Sequence, residues 1–278
     1  KYNYTSGPDW LRENILKNKK VIAVAGTHGK TSTSSMLAWI LTKLGLNPGF
    51  FIGGIPKNFG HPVALGCDNG YFVIEADEYD TAFFDKRAKL VHYFPDIFIL
   101  NNLEYDHADI YENLDAIKKQ VHHGVRLVPE NGKVILPNDD ANLKDVLDMG
   151  VFCNKSYFKV LDNIDLSNLS NIDKLDWSIR SIGDNKFNVY NYGKIIATGS
   201  WDLKGRYNLH NALAAIIAAC ECYKDINGEK VKVSAQEAVD ALFDFKGVKR
   251  RCECIYDDGK VKIYDDFAHH PTAVKEAL

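Results

Sequence analysis

VIAVAGTHGKTSTSSMLAWIL, running from Val21 to Leu41, decides the fold of this chain. Val21 to Ala25 is a short unbroken apolar run, the pattern of a strand buried on both faces of a parallel sheet. From Lys30 to Leu44 the apolar residues Met36, Leu37, Ile40, Leu41 and Leu44 recur at helical spacing. Between them lies the turn Gly26-Thr27-His28-Gly29-Lys30-Thr31-Ser32. Its glycines let backbone N–H groups approach an anion closely, and the helix start adds unpaired N–H groups and the positive end of its dipole. Lys30 is placed to reach the β- and γ-phosphates of a nucleotide, and the Thr31 hydroxyl to coordinate Mg²⁺. Val24 stands where the general P-loop pattern has its first glycine, so only the second half of that pattern is present. The flanking strand and helix are the context that makes the turn a phosphate cradle rather than a tight turn alone.

At 278 residues the chain is long enough for one large α/β domain and a smaller piece besides. A net charge of −3 and the lack of a basic stripe interleaved with aromatics argue against a nucleic-acid partner. Cys67, Cys153, Cys220, Cys222, Cys252 and Cys254 form no CxxC pair and have no histidines at zinc spacing, so they read as reduced structural thiols. No apolar run is long enough to span a bilayer, and the first residues do not form a signal peptide. A cytoplasmic protein with no membrane contact is therefore expected. The chain starts without methionine and stops within a helical pattern at Val274 to Leu278, and it reads as a piece of a longer protein.

Ser6-Gly7-Pro8 and a helical pattern at Trp10, Leu11, Ile15 and Leu16 precede the first strand and read as a linker. Phe50 to Ile52 is a second strand, and Ile55 to Asn69 a long loop of the kind that usually carries function. Tyr71 to Ile74 delivers Glu75-Ala76-Asp77-Glu78-Tyr79-Asp80 at its carboxyl end, and Asp96 to Leu100 delivers Asn101 to His107 at the same edge. Ligands of open α/β sheets sit at that edge, and two acid-rich strand ends beside a phosphate cradle suit a shared Mg²⁺. Glu75 and His107, coming straight off buried strands, are the candidate ligands; Asp77, Asp80 and Asp109 read equally as solvated charges. A helix over Leu114 to Leu127, a strand over Lys133 to Leu136 and a helix ending at Leu147 follow. Asp173 to Leu203 alternates with turns at Gly183-Asp184-Asn185 and Tyr192-Gly193-Lys194, predicting a small antiparallel sheet on a side lobe. Gly205 to Asn211 opens an Ala-rich helix reaching Tyr223, with Asn208 and Asn211 on one face; the pair suits an adenine edge, or a helix cap and a surface residue. A helix over Ala235 to Phe243 and strands over Cys252 to Tyr256 and Val261 to Tyr264 complete the pattern. The predicted class is a P-loop-containing α/β fold with a mostly parallel central sheet flanked by helices, a small antiparallel side sheet and the start of a further α/β domain.

In order, AGTHGKTS, EADEYD, NNLEYDHADIY, GRYNLHNALAA, GVKRR and YDDFAHHP resemble the Mur ligases, ATP-dependent amide-forming enzymes of peptidoglycan synthesis. The resemblance implies a linker at 1–19, a central ATP-binding domain at 20–249 and the beginning of a C-terminal domain at 250–278. GGIPKNFG, FVIEADEYDTAFFDKR and YDDFAHHPTA are most similar to the recycling branch, which joins a murein tripeptide to UDP-N-acetylmuramate; the branch that adds L-alanine is the alternative. From another class, a P-loop switch or motor is the competing reading. The resemblance further implies that Gly26 to Ser32 bind ATP, with Lys30 on the β/γ-phosphates, and that Thr31, Glu75 and His107 hold Mg²⁺. It places Asn208 and Asn211 at the adenine, Arg251 at the ATP phosphates, and Asp266 and His269 as the catalytic acid and histidine of the third domain. Where some relatives carry a carbamylated lysine for a second Mg²⁺, this chain has His122. The piece alone is expected to bind Mg·ATP and to form no product, and its oligomeric state stays open.

Overall fold

A computed structural model describes residues 3–161, 175–183, 185–203 and 205–278. Asp173, Lys174 and Asp184 of the expected antiparallel stretch lie outside them.

The chain enters through helix α1 (Gly7–Leu11), capped by the Ser6 hydroxyl accepting from the Asp9 N–H, and a π-helical turn over Arg12–Leu16. Asp9 is held at 2.6 Å by Nδ1 of the buried His92. Strand β1 (Lys20–Ala25) then runs into the phosphate turn and helix α2 (Lys30–Lys43). In chain order follow β2 (Gly49–Phe51), β3 (Val63–Ala64), β4 (Tyr71–Glu75), a hairpin of β5 (Asp80–Ala82) and β6 (Asp85–Ala88), and β7 (Ile97–Leu100). Next come α3 (Leu114–Val125), β8 (Lys133–Pro137), α4 (Ala141–Asp148), β9 (Asn154–Val160), β10 (Trp177–Gly183), β11 (Lys186–Asn191) and β12 (Lys194–Ser200). The rest is α5 (Arg206–Cys220), a hairpin of β13 (Tyr223–Ile226) and β14 (Glu229–Lys232), α6 (Ala235–Leu242), a hairpin of β15 (Glu253–Asp257) and β16 (Lys262–Asp265), and α7 (Pro271–Ala277).

Among the described residues ten strands form one sheet, in the order β12-β11-β10-β9-β8-β7-β1-β4-β2-β3. From β10 through to β2 every pairing is parallel; β3 at one edge and β11 and β12 at the other are antiparallel. β1 is central, and its alternate side chains feed two cores. Ile22 and Val24 face α2, α5 and α6, whereas Val21, Ala23 and Ala25 face the side of α3 and α4. The run is apolar throughout because both faces are covered. α5 buries Ala212, Ala214, Ala215, Ala218 and Ala219, and these small side chains let it pack closely against α2.

The antiparallel stretch forms as expected, but as a continuation of the main sheet rather than a side lobe. β10 lies parallel to β9, pairing Trp177 with Phe158 and Ile179 with Val160. β9, whose exposed and buried positions alternate, is not among the strands expected above. The long loop is partly ordered by pairing of Val63 and Ala64 with β2. It also docks on the segment before Arg251: Lys57 N–H donates to Gly247 O, and Lys249 N–H to Ile55 O.

Candidate active site

The phosphate turn leaves β1 at Gly26 and enters α2 after Gly29, which sits in the left-handed region at φ 83°. A Cβ on Gly29 would lie 2.6 Å from Asn211 Oδ1 and 2.9 Å from Asn101 Nδ2, so glycine is required there twice over. Behind the turn the buried Asn101, Thr33 and Asn211 form a network. Asn101 Nδ2 donates to Thr33 Oγ1 at 2.8 Å, and Thr33 Oγ1 donates to Asn211 Oδ1 at 3.2 Å. Asn102 clamps His28 by accepting from its N–H and donating to its carbonyl, both at 3.0 Å. The turn is therefore built before any ligand arrives.

Lys30 folds over the turn, its ammonium donating to Gly26 O at 2.7 Å and to Glu78 Oε2 at 3.2 Å, with Asp77 Oδ1 at 3.7 Å. Burial opposes its charge, but Glu78 and Asp77 outweigh that and hold its pKa above the ordinary value. Glu78 Oε1 lies 3.1 Å from His107 Nε2, and its backbone carbonyl accepts from the Tyr111 hydroxyl. Burial also works against the Glu78 carboxylate, yet the His107 hydrogen bond and Lys30 keep its pKa below the ordinary value. The Glu78 hydrogen bond raises the His107 pKa, with burial opposing.

Glu75 behaves differently. Burial and then Asp77 push its carboxyl above the ordinary value, partly offset by hydrogen bonds from Thr31 and the Gly53 N–H. Its Oε1 is buried without a hydrogen-bond partner among the described residues. A buried carboxylate oxygen left open beside a threonine hydroxyl is a donor set that suits a hard divalent cation. Thr31 and Glu75 are thus brought together as expected. His107 instead sits on Glu78, a residue the sequence reading did not single out.

A cleft of about 200 Å³ opens beside the turn, lined by His28, Gly29, Ser32, Asn211, Arg251 and Asp266 among others. Arg251 reaches in from the segment after α6 and donates to Thr31 Oγ1 at 3.2 Å. Asp266 accepts from the N–H groups of Cys252 and Ala268, both at 2.6 Å, so it shapes the arm that carries Arg251. Asn208 is buried on α5 next to Tyr207, and does not line this cleft as Asn211 does. Thr27 exchanges hydrogen bonds with the Glu104 backbone. His269 is exposed, its Nδ1 3.1 Å from the Phe267 carbonyl two residues back; the histidine turned toward the phosphate loop is His270, stacked at 6.0 Å on His28. His122 faces the Gly150 carbonyl at 2.9 Å, at the far end of α3.

The fold agrees with what the chain is similar to. The family model of the Mur ligase middle domain matches residues 24–219. The chain belongs to the Mur ligase family. Over 99% of its length it is 44% identical to UDP-N-acetylmuramate–L-alanyl-gamma-D-glutamyl-meso-2,6-diaminoheptandioate ligase of Escherichia coli K12, of which it covers 56%. The crystal structure of a murein peptide ligase from Psychrobacter arcticus 273-4 superposes with a TM-score of 0.79 at 42% identity, covering 99% of this chain and 57% of that one. UDP-N-acetylmuramate–L-alanine ligase of Caldicellulosiruptor bescii is 32% identical over 94% of this chain and 52% of its own. The chain thus spans about half the length of the curated relatives it matches. The Mur ligase frame explains the mostly parallel sheet and its P-loop together. Among the described residues no helix is long and apolar enough to cross a membrane.

Proposed function

We propose that this Mur ligase chain carries the ATP site of a ligase that joins L-alanyl-γ-D-glutamyl-meso-diaminopimelate to UDP-N-acetylmuramate in cytoplasmic peptidoglycan recycling. The observation that carries the ATP site is the pairing of a preformed phosphate turn with Glu75, whose buried oxygen is open beside Thr31. The higher identity to the tripeptide-adding relative than to the L-alanine-adding one favours the recycling substrate. Residues 20–249 form the nucleotide-binding body in this reading, and residues from 250 onward begin the arm that closes over the nucleotide.

The reaction has two steps. The substrate carboxylate attacks the γ-phosphorus of ATP to give an acyl phosphate and ADP; the peptide amine then attacks that carbonyl and phosphate leaves. The first step brings two anions together, so positioning and charge neutralisation dominate. Thr31 and Glu75 would hold Mg²⁺, which supplies charge neutralisation at the phosphates. Lys30 supplies the remaining positive charge, and the nucleotide phosphates must compete with Glu78 for its ammonium. Releasing Glu78 also frees His107 from its present partner. Arg251 adds a guanidinium from the opposite wall, and Asn211 offers both a donor and an acceptor at the cleft.

Isotope exchange tests this in the full-length protein. ¹⁸O from labelled UDP-N-acetylmuramate carboxylate should appear in released phosphate, with ADP formation dependent on the tripeptide. A P-loop switch or motor would release phosphate without label, and faster turnover with L-alanine than with tripeptide would assign the other branch.

A further inference from the structure

His28, Glu104 and His270 come from three separate parts of the chain: the phosphate turn, the loop after β7, and the residue capping α7. One ring nitrogen of each histidine and one carboxylate oxygen lie within 4.8 Å of one another. The imidazole rings are nearly parallel, at 14°.

Three features distinguish this trio from a chance surface cluster. His28 Nδ1 is buried and has no hydrogen-bond partner among the described residues, while its backbone is fixed from both sides by Asn102. Glu104 is fixed likewise, its N–H donating to Thr27 Oγ1 at 2.8 Å and its carboxylate accepting from Thr272 Oγ1 at 2.7 Å. His270 Nε2 lies 3.3 Å from the Tyr105 carbonyl, while Nδ1 lies 3.2 Å from Glu104 Oε2 without hydrogen-bond geometry. In the neutral ring whose Nε2–H donates to that carbonyl, Nδ1 turns a lone pair toward the carboxylate. A backbone carbonyl orienting the far N–H of an imidazole is the usual support of a metal-bound histidine.

We propose that His28, Glu104 and His270 bind a d-block divalent cation of the Zn²⁺ class, which ties the arm after β16 to the phosphate turn. Two imidazoles and one carboxylate are a borderline-soft set that favours Zn²⁺ over Mg²⁺. Tetrahedral Zn²⁺ with bonds of about 2.0–2.1 Å sets its ligand atoms roughly 3.4 Å apart, so the trio closes by a small shift. His270 supplies that shift most readily, because the other two ligands belong to the rigid turn and strand end. The fourth position is left to water or another exogenous ligand. This cation is separate from the Mg²⁺ considered at Thr31 and Glu75.

The test is Zn²⁺ titration of the nucleotide-free chain, with Co²⁺ as a spectroscopic substitute and Glu104→Gln and His270→Ala as variants. Glu104→Gln keeps the size of the side chain, and circular dichroism shows whether each variant is folded. The expected result is one equivalent bound in the presence of excess Mg²⁺, with affinity lower by at least about tenfold in each variant. Bound Co²⁺ should show tetrahedral d–d bands without thiolate charge transfer, and Zn²⁺ should slow amide exchange across residues 266–277 of the wild type only. Equal Zn²⁺ affinity in wild type and both folded variants overturns the proposal. So does a thiolate-to-cobalt band, which would place the cation on the cysteines.

Discussion

Arg251 and Thr31, 220 residues apart in the chain, meet where a guanidinium N–H donates to the threonine hydroxyl at 3.2 Å. That hydroxyl is the one the phosphate turn offers to Mg²⁺ in the proposed function. The first residue after the GVKR turn therefore rests on the proposed nucleotide site itself.

Arg251→Ala should weaken binding of a non-hydrolysable ATP analogue by about ten- to a hundredfold, since hydrogen bonds to charged groups are worth about 1.5–3 kcal/mol. The melting temperature should barely move, because Arg251 lies at the edge of the cleft and outside both cores. Calorimetry and a thermal melt on the same samples check this. Undiminished affinity would show that Arg251 serves only to seat the arm.

Glu78→Gln should lower the His107 pKa toward the ordinary histidine value, read by NMR of the ring protons. The wild-type value is raised chiefly by the Glu78 hydrogen bond. Its folded pKa stands above the unfolded one, so its contribution to stability is complete below about pH 6.5 and fades as pH rises through the folded value. The Glu78 carboxylate acts in the opposite direction. Its depressed pKa gives stability that is present above its ordinary value of 4.5 and is lost as pH falls through the folded value. Urea unfolding across this range should give a flatter profile for the variant at both ends.

His210 predicts a separate acid sensitivity. Burial against Phe158 holds its pKa down at about 4, while its ring faces the Asn101 carbonyl at 3.0 Å. Between that value and about 6.5 the unfolded chain binds a proton that the folded chain refuses, so stability must rise with pH through this window. The full effect is on the order of 3 kcal/mol. His210→Gln should remove most of that slope, and an unchanged slope would place the acid sensitivity elsewhere.

Gly29→Ala is best read beside Gly45→Ala. Both glycines have positive φ, 83° and 75°, but a Cβ on Gly45 meets nothing within 4 Å. Each variant bears the backbone cost, about 1–2 kcal/mol. Only Gly29→Ala should also displace Asn211 and abolish nucleotide binding. Similar destabilisation in the two, with nucleotide binding retained, would refute the close packing of Asn211 on the turn.

Much of this was legible because β1, β4 and β7 are short apolar runs that end in polar clusters, and such runs fix both the parallel sheet and its ligand edge. The small residues of α5 likewise announced a tightly packed helix. Three things were less visible. β9 carries Lys155 and Lys159 on its exposed or half-exposed positions, so its apolar content is diluted and the antiparallel strands looked detached. The β13–β14 hairpin turns at Asn227-Gly228, a strong hairpin signal between two strands too polar to stand out. The role of Glu78 depends on distances: four acids in six residues look alike in a string, but burial leaves Glu75 open and pairs Glu78 with both Lys30 and His107. The choice between His269 and His270 is of the same kind, since adjacent residues on a turn point in different directions.

The docking of residues 55–57 on 247–249 sets a spacing rule. Asn58 completes it, donating to the Asp244 carbonyl and accepting from the Lys246 N–H. Two of these four bonds join backbone to backbone and the other two need only the Asn58 side chain, so composition elsewhere in residues 55–57 is free to drift while the register is not. An insertion or deletion between Gly54 and Asn58 would slide the partner strand by one residue and carry Arg251 off Thr31, with no change to any residue of the cleft. Length variation among related chains should therefore collect after Asn58, toward the exposed Gly60 and His61, and stop short of the stretch that measures out the reach of Arg251.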